Sequence, residues 1–323
     1  MKYLHSRGMR QIALGAMFAL VVACAGQTLR QGGGTETGGV VALAQSPRAD
    51  TPGPTVARHL TERYQSTVPN CTKNSTDPNP LPAVLCSGIL LRATKRGAGY
   101  DAWNPNPASS TPNGVPFSWL RQDSGFNHLA NSYTNGFIIL PYFYADDPVD
   151  EYTQLIVRCV FPFDGATNGR TGGDRDGCYQ YATLTQTGPC QAQGITTAPL
   201  WLAKFQNGGL YENQCGFRLL PGTADAWQVF RAQTEIRAAM AARFSIHNEV
   251  MVGTWAQNDS KLPLEAFFYI SGNATGLGEA KANQVDFKSR TARWVPVIRI
   301  TLPTAPSNRA TIAFNMADQG IQQ

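Results

Sequence analysis

Ile89-Leu90-Leu91-Arg92-Ala93 and Val115-Pro116-Phe117-Ser118-Trp119-Leu120 are the stretches that decide the fold of this 323-residue chain. Both are largely apolar runs rich in branched and aromatic residues, which is typical of buried strands. We predict strands over Leu85–Ala93 and Val115–Leu120. A long loop must separate them, because residues 95–113 contain Gly, Asn and Pro throughout. Each strand carries one polar residue of interest, Arg92 in the first and Ser118 in the second.

A third strand begins at a carboxylate. His247-Asn248-Glu249-Val250-Met251-Val252 leads into a predicted strand over Glu249–Trp255, which we expect to pair antiparallel with Leu264–Ile270. The remaining predicted elements are helices at Thr55–Tyr64, Phe126–Ser132 and Ala224–Ala242, and strands at Gly136–Tyr144, Leu155–Phe161, Trp294–Leu302 and Ala310–Asn315. Residues 162–222 show little periodicity and contain several cysteines, so we predict a disulfide-stapled insertion there. The sequence therefore predicts a strand-dominated α+β fold.

The N-terminus has the features of an export signal. Residues 1–25 combine basic residues with a small-apolar stretch and an A-x-A motif at Ala23-Cys24-Ala25. Residues 26–52 are then a flexible leader, and 53–323 form a single domain that is secreted or periplasmic. Val21-Val22-Ala23-Cys24 also fits a loose lipobox, so a lipid anchor at Cys24 is the alternative. No later segment is long and apolar enough to be predicted as a transmembrane segment.

The charge is nearly balanced once the export signal is set aside. The full chain has a formal net charge of +5, and Lys2, Arg7 and Arg10 of the signal supply three of the basic residues. The remaining charge gives no case for a nucleic-acid partner or an anionic membrane surface.

Six cysteines remain after the signal, an even number that suits disulfides in an oxidising compartment. A metal site is not expected, because no C-x-x-C occurs and the histidines lack ligand spacing. Loop length favours the pairs Cys71–Cys86, Cys159–Cys178 and Cys190–Cys215, although the sequence alone leaves the connectivity open.

The ordered trio Arg92, Ser118 and Glu249 resembles the signature of the mono-ADP-ribosyltransferases of the cholera- and pertussis-toxin type, which use NAD. Leu91-Arg92-Ala93 is similar to the strand of that family that carries its NAD-binding Arg. Val115–Arg121 resembles the Ser-Thr-Ser strand, with only Ser118 retained, and Asn248-Glu249-Val250-Met251 resembles the segment with the catalytic Glu. The segments C-S-G-I-L-L-R and G-V-P-F-S-W-L-R look closer still to the halovibrin family of secreted ADP-ribosyltransferase or NAD glycohydrolase type.

The resemblance implies a split-sheet ADP-ribosyltransferase core and a secreted, toxin-like enzyme that cleaves the nicotinamide–ribose bond of NAD. This reaction passes through an oxocarbenium-like ion, which a fixed carboxylate stabilises, while an Arg fork suits the pyrophosphate. Glu249 would be the catalytic carboxylate, with Arg92 and Ser118 as NAD-binding residues. His247 stands where the family has a Glu or Gln that presents the acceptor. This favours NAD hydrolysis over transfer to an arginine of a host or competitor protein.

Other residues were weighed beside the trio. Tyr100 and Trp103, in the loop after Arg92, are candidates for stacking on NAD, and Arg121 is a candidate phosphate ligand. Glu265 is the competing carboxylate, which we interpret as structural. The alternative function is that of a non-catalytic, disulfide-stapled protein, secreted or lipid-anchored, that binds a host surface or another exported protein.

Overall fold

A nine-stranded mixed sheet carries the fold in the computed structural model, with strand order β11-β10-β9-β5-β3-β4-β8-β6-β7. The structure describes residues 50–67, 70–71, 81–95, 115–140, 155–165, 178, 188–208, 214–219, 226–254 and 264–323. The helices are α1 Gly53–Gln65, α2 Ala198–Phe205, α3 Ala226–Ala239 and α4 Ala274–Thr291. The strands are β1 Asn70–Cys71, β2 Leu81–Pro82, β3 Ile89–Thr94, β4 Val115–Leu120, β5 Asn135–Ile139, β6 Leu155–Phe161, β7 Phe217–Arg218, β8 Glu249–Thr254, β9 Leu264–Ile270, β10 Val297–Thr301 and β11 Thr311–Phe314.

The prediction of an α+β fold is confirmed. Strands β4, β6 and β9 begin and end at the predicted residues, and α1 encloses the helix predicted at Thr55–Tyr64. These elements could be predicted because their apolar residues follow strand or helix periodicity closely. The predicted signal, and the leader up to residue 49, lie outside the described residues. Among those described, no helix is long and apolar enough to cross a membrane.

The predicted antiparallel pair of β8 and β9 is wrong. Strand β8 lies between β4 and β6, whereas β9 lies between β5 and β10. Six of the seven β9 residues are buried, so this strand needs covered faces and a hydrogen-bonded neighbour on each side. Proximity in sequence suggested a hairpin, but the central position of each strand requires partners from distant segments.

Two other predictions need correction, and one helix was missed. The helix predicted at Phe126–Ser132 is only a 3-10 turn at Ala130–Ser132, and the insertion predicted as irregular contains helix α2. Helix α4 was not predicted at all. Its sequence is rich in Gly and polar residues, and Asn283 and Gln284 are buried in it, so it lacks a simple apolar stripe.

The two faces of the sheet bury different apolar clusters. On the face that we call the α3 face, Leu90, Phe117 and Trp119 pack with side chains of α2, α3 and α4. On the opposite face, called the α1 face, Leu91 and Leu120 pack with α1. Alternating residues of β3 and β4 thus serve separate clusters, as a pleated strand requires.

Strand β4 joins two differently paired halves of the sheet. Its C-terminal half pairs with β3, with Leu91 opposite Ser118, and its N-terminal half pairs with β8, with Phe117 opposite Val250. The backbone N–H and carbonyl of Trp119 face β8, because both bond to the side chain of Asn248, the residue that directly precedes β8. By alternation those of Pro116 face β3. Proline has no N–H to donate, so the β3–β4 ladder is interrupted at Pro116.

Disulfides fasten the insertion to strand β6 and to itself. Cys159–Cys178 and Cys190–Cys215 are at bonding distance, as predicted. Cys86 is also disulfide-bonded. Its predicted pairing with Cys71 concerns a side chain outside those described and stays a prediction.

Candidate functional site

The start of β8 gathers the polar residues that form the candidate site. His247, Asn248 and Glu249 are 7%, 0% and 4% exposed, respectively, although each carries a polar side chain. They lie against β4 on one side and the end of β6 on the other. Buried polar groups require partners, so the contacts of these three residues define what the site can do.

The side-chain amide of Asn248 forms the two hydrogen bonds that the backbone of a neighbouring strand would form with Trp119. Its Oδ1 accepts the Trp119 N–H at 2.7 Å, and its Nδ2 donates to the Trp119 carbonyl at 2.8 Å. The side-chain amide thus extends the β4–β8 ladder from Phe117 to Trp119 and fixes the position at which β8 begins. Sequence reasoning missed this residue, because an Asn before a strand usually indicates a turn.

Glu249 is held by the segment that follows β6. Its Oε2 accepts the N–H of Gly165 at 2.8 Å. A Cβ added at Gly165 would lie 3.0 Å from this oxygen and 2.8 Å from the Phe161 ring, so the close approach requires glycine. Continuing the β4–β8 register from Phe117 and Val250 places Glu249 opposite Ser118, on the α1 face.

His247 connects Ser118 with Asp164. Its Nδ1 lies 2.8 Å from the Asn248 carbonyl oxygen and 3.3 Å from Ser118 Oγ, and its Nε2 lies 3.5 Å from Asp164 Oδ2. Burial by itself lowers the pKa of His247, but the Asp164 carboxylate, the Asn248 carbonyl and Glu249 outweigh it and raise the pKa. The arrangement therefore favours a protonated imidazolium paired with Asp164.

Ser118, His247 and Asp164 form a chain of contacts that resembles a nucleophile triad only superficially. A general base must offer a free ring nitrogen to the serine hydroxyl. Here Nδ1 faces a carbonyl oxygen, which can only accept, so this nitrogen carries a proton. His247 consequently donates toward Ser118 and cannot remove its proton. The contacts support a role in orienting Ser118 rather than in activating it.

Arg92 lies apart from this cluster. It is opposite Phe137 and two residues after Leu90, so its Cβ is on the α3 face, whereas Ser118 and Glu249 are on the α1 face. Its Nη1 donates to the Pro116 carbonyl at 2.9 Å, at the interruption of the β3–β4 ladder. The structure therefore brings Ser118, His247 and Glu249 together and places the guanidinium of Arg92 between β3 and β4.

Arg121 serves the fold. It is 2% exposed. Its guanidinium binds the Asp123 carboxylate through Nε at 2.6 Å and Nη2 at 3.1 Å, and it also donates to Ser66 and Thr67 after α1. Because the guanidinium donors of Arg121 already have these partners within the fold, we leave Arg121 out of the candidate site. Tyr100 and Trp103 lie outside the described residues.

Glu265 is a buried partner of Arg63. Both side chains are nearly inaccessible, at 0% and 4%, and they form an ion pair between β9 and α1. Glu265 is the extra residue of a β-bulge, because Ile138 pairs with Ala266 and Ile139 pairs with Leu264. The bulge turns the carboxylate toward α1, which supports its interpretation as structural.

No match to this chain emerges from a scan of protein-family models or from a search of curated proteins. Within the described part of the chain, no group of His, Cys, Asp and Glu is arranged to hold a metal ion. Sequence reasoning missed Asp164 and Gly165, whose Asp-Gly pair looked like an ordinary turn.

Proposed function

We propose that the chain is a secreted NAD-consuming enzyme that cleaves the nicotinamide–ribose bond, with Glu249 as the catalytic carboxylate. The observation that carries the proposal is the position of Glu249 opposite Ser118, on adjacent strands and on one face of the sheet. The strands bearing Arg92, Ser118 and Glu249 are consecutive in the sheet. The trio that suggested the chemistry in the sequence thus occupies neighbouring strands.

The chemistry follows from the fixed position of the carboxylate. As the nicotinamide leaves, positive charge develops on the ribose, and a carboxylate that is already oriented stabilises this charge without reorganisation. The Gly165 N–H holds Oε2 of Glu249 at 2.8 Å and so fixes the orientation of the carboxylate. His247 orients Ser118 from the other side, so that its hydroxyl is a second fixed polar group beside Glu249.

Arg92 is proposed to bind the pyrophosphate from the interruption between β3 and β4. One of its terminal nitrogens bonds to the Pro116 carbonyl, and the planar fork of a guanidinium matches the oxygens of a pyrophosphate. Its Cβ starts on the opposite face from Glu249, so NAD would have to contact residues on both faces of the sheet.

Water is the proposed acceptor. His247 turns inward toward Ser118 and Asp164, is 7% exposed, and has a raised pKa. A buried cationic imidazole is poorly suited to present an arginine side chain, because like charges repel. Hydrolysis to ADP-ribose and nicotinamide therefore fits the site better than transfer to a protein arginine. The disulfides support the proposed export.

Release of nicotinamide tests the proposal. The full chain would be exported into a bacterial periplasm, purified, and incubated with NAD, and the product would be followed by chromatography. We expect Glu249→Gln to reduce turnover about 100- to 1,000-fold, because it removes the charge and keeps the shape. Glu235→Gln, at an exposed carboxylate on α3, is the matched control and should retain activity.

Two results would contradict the proposal. Absence of nicotinamide release by the folded wild-type protein would reject the activity. Wild-type turnover in Glu249→Gln, combined with loss in Glu265→Gln, would show that the wrong carboxylate was assigned.

A further inference from the structure

Arg237 is a buried arginine near the end of α3 that the proposed chemistry does not use. It is 6% exposed. Its guanidinium donates to three backbone carbonyls, those of Ile246 at 2.7 Å, Gly125 at 2.5 Å and Pro162 at 3.3 Å. Its carbon Cζ also lies 4.7 Å from the centre of the Phe163 ring.

Each carbonyl belongs to a segment that supplies a group of the candidate site. Ile246 directly precedes His247, and Pro162 lies two residues before Asp164. Gly125 directly precedes Phe126, whose ring meets the His247 ring edge-to-face with centroids 6.4 Å apart. A single guanidinium therefore joins the segments that bring His247, Asp164 and Phe126 together.

Arg237 differs from an arginine in an ordinary buried ion pair, because its hydrogen-bond acceptors are carbonyl groups. Among the described residues no carboxylate forms a salt bridge with it, and burial lowers its pKa to about 9. A buried charge without an opposite charge is costly and must be compensated by hydrogen bonds. The rigid fork can hold several carbonyls at once, which the single ammonium group of a lysine cannot do in the same geometry.

We infer that Arg237 is a positioning residue of the site, which holds the segments of His247 and Asp164 at the distance where the two side chains pair. The inference rests on the proposed function only for its catalytic consequence. Misplacing Asp164 or His247 would release Ser118 and disturb the Asp164-Gly165 segment that holds Glu249.

The titration of His247 followed by NMR tests this inference without reference to NAD. The wild-type protein, Arg237→Met and Arg237→Lys would be compared, with Arg231→Met on the exposed side of the same helix as the control. His247→Gln assigns the resonance. The groups that face His247 are Asp164, Glu249, Ser118 and the Asn248 carbonyl.

We expect the pKa of His247 to fall in Arg237→Met, because burial remains while Asp164 moves away. In Arg237→Lys the pKa of His247 should lie between its values in Arg237→Met and in the wild type. In Arg231→Met, His247 should titrate as it does in the wild type. NAD turnover should fall about 100-fold in Arg237→Met with little change in KM, since small displacements of catalytic groups act mainly on the chemical step.

An unchanged His247 titration in folded Arg237→Met would overturn the inference, even if the variant melts at a lower temperature. If Arg237→Met does not fold, the same criterion applies to Arg237→Lys. If the wild-type protein releases no nicotinamide, the proposed function fails, but the titration still decides the role of Arg237.

Discussion

The residues of the site are fixed by hydrogen bonds that leave each little freedom. Asn248 binds both backbone groups of Trp119, Glu249 accepts from Gly165, and His247 lies between Ser118 and Asp164. Buried polar contacts of this kind are expensive to break, because the partner left behind is also buried. The consequence for function is a preorganised carboxylate beside an oriented hydroxyl.

The raised pKa of His247 predicts a dependence of stability on pH. Since the folded pKa lies above the ordinary value of 6.5, the protonated histidine stabilises the fold fully below pH 6.5. This contribution is lost as the pH rises through the folded pKa. We expect the free energy of unfolding, measured with urea, to decrease over this interval.

Asp164→Asn should flatten that decrease, because it removes the carboxylate that raises the pKa of His247. His128→Gln, at an exposed histidine, is the control and should retain the wild-type slope. If the free energy of unfolding of Asp164→Asn falls with pH as steeply as that of the wild type, the His247–Asp164 pair does not contribute to this pH dependence.

Among the elements, strand β4 decides where the site can form. Pro116 interrupts the hydrogen-bond ladder between β4 and β3. The Arg92 guanidinium donates to the Pro116 carbonyl at this interruption. Asn248 completes the ladder between β4 and β8 at Trp119. The strand was predicted residue by residue from its apolar pattern, but its role as a junction depends on partners that the sequence does not reveal.

Pro116→Val tests this junction. It supplies an N–H toward β3 and a β-branched side chain, so we expect the ladder to extend and the stability to rise by up to about 1 kcal/mol. Arg92 should lose its carbonyl partner, and the affinity for NAD should fall. Pro306→Val, in an exposed loop, controls for the general effect of removing a proline.

Amide hydrogen exchange provides the direct readout for this variant. Protection of the new amide at position 116 is expected. Rapid exchange at that position, together with unchanged affinity for NAD, would contradict the assignment of Pro116 as the cause of the interruption.

Prediction from sequence succeeded where periodicity was strong and failed where polar contacts decide the structure. Helix α4 was missed because its buried Gln284 binds the Val295 carbonyl and the Gly320 N–H instead of joining an apolar stripe. The resemblance assigned Glu249 and Ser118 to one site but not to adjacent strands, and Asp164 was not assigned to it, because its partner His247 is more than 80 residues away in sequence. Contacts at such separations follow from topology rather than from local pattern.

At the scale of the whole molecule, the site lies where the two halves of the sheet meet. Strands β9, β10 and β11 and helices α1 and α4 build one half, and β6, β7, α2 and α3 build the other, with β3, β5, β4 and β8 between. The central strands carry the functional side chains, and the outer elements bury the apolar surface. With this arrangement, NAD must bind at the centre of the sheet, beside Glu249, for the proposed reaction to occur.

The measurement that tests this requirement most directly is the NMR response of the histidine rings to NAD in the Glu249→Gln variant, which should turn NAD over slowly enough for binding to be observed. We expect the imidazole resonances of His247 to shift as NAD is added, while those of His59 on α1 stay in place. Saturable NAD binding that leaves His247 unchanged, or no binding by the folded protein, would contradict it.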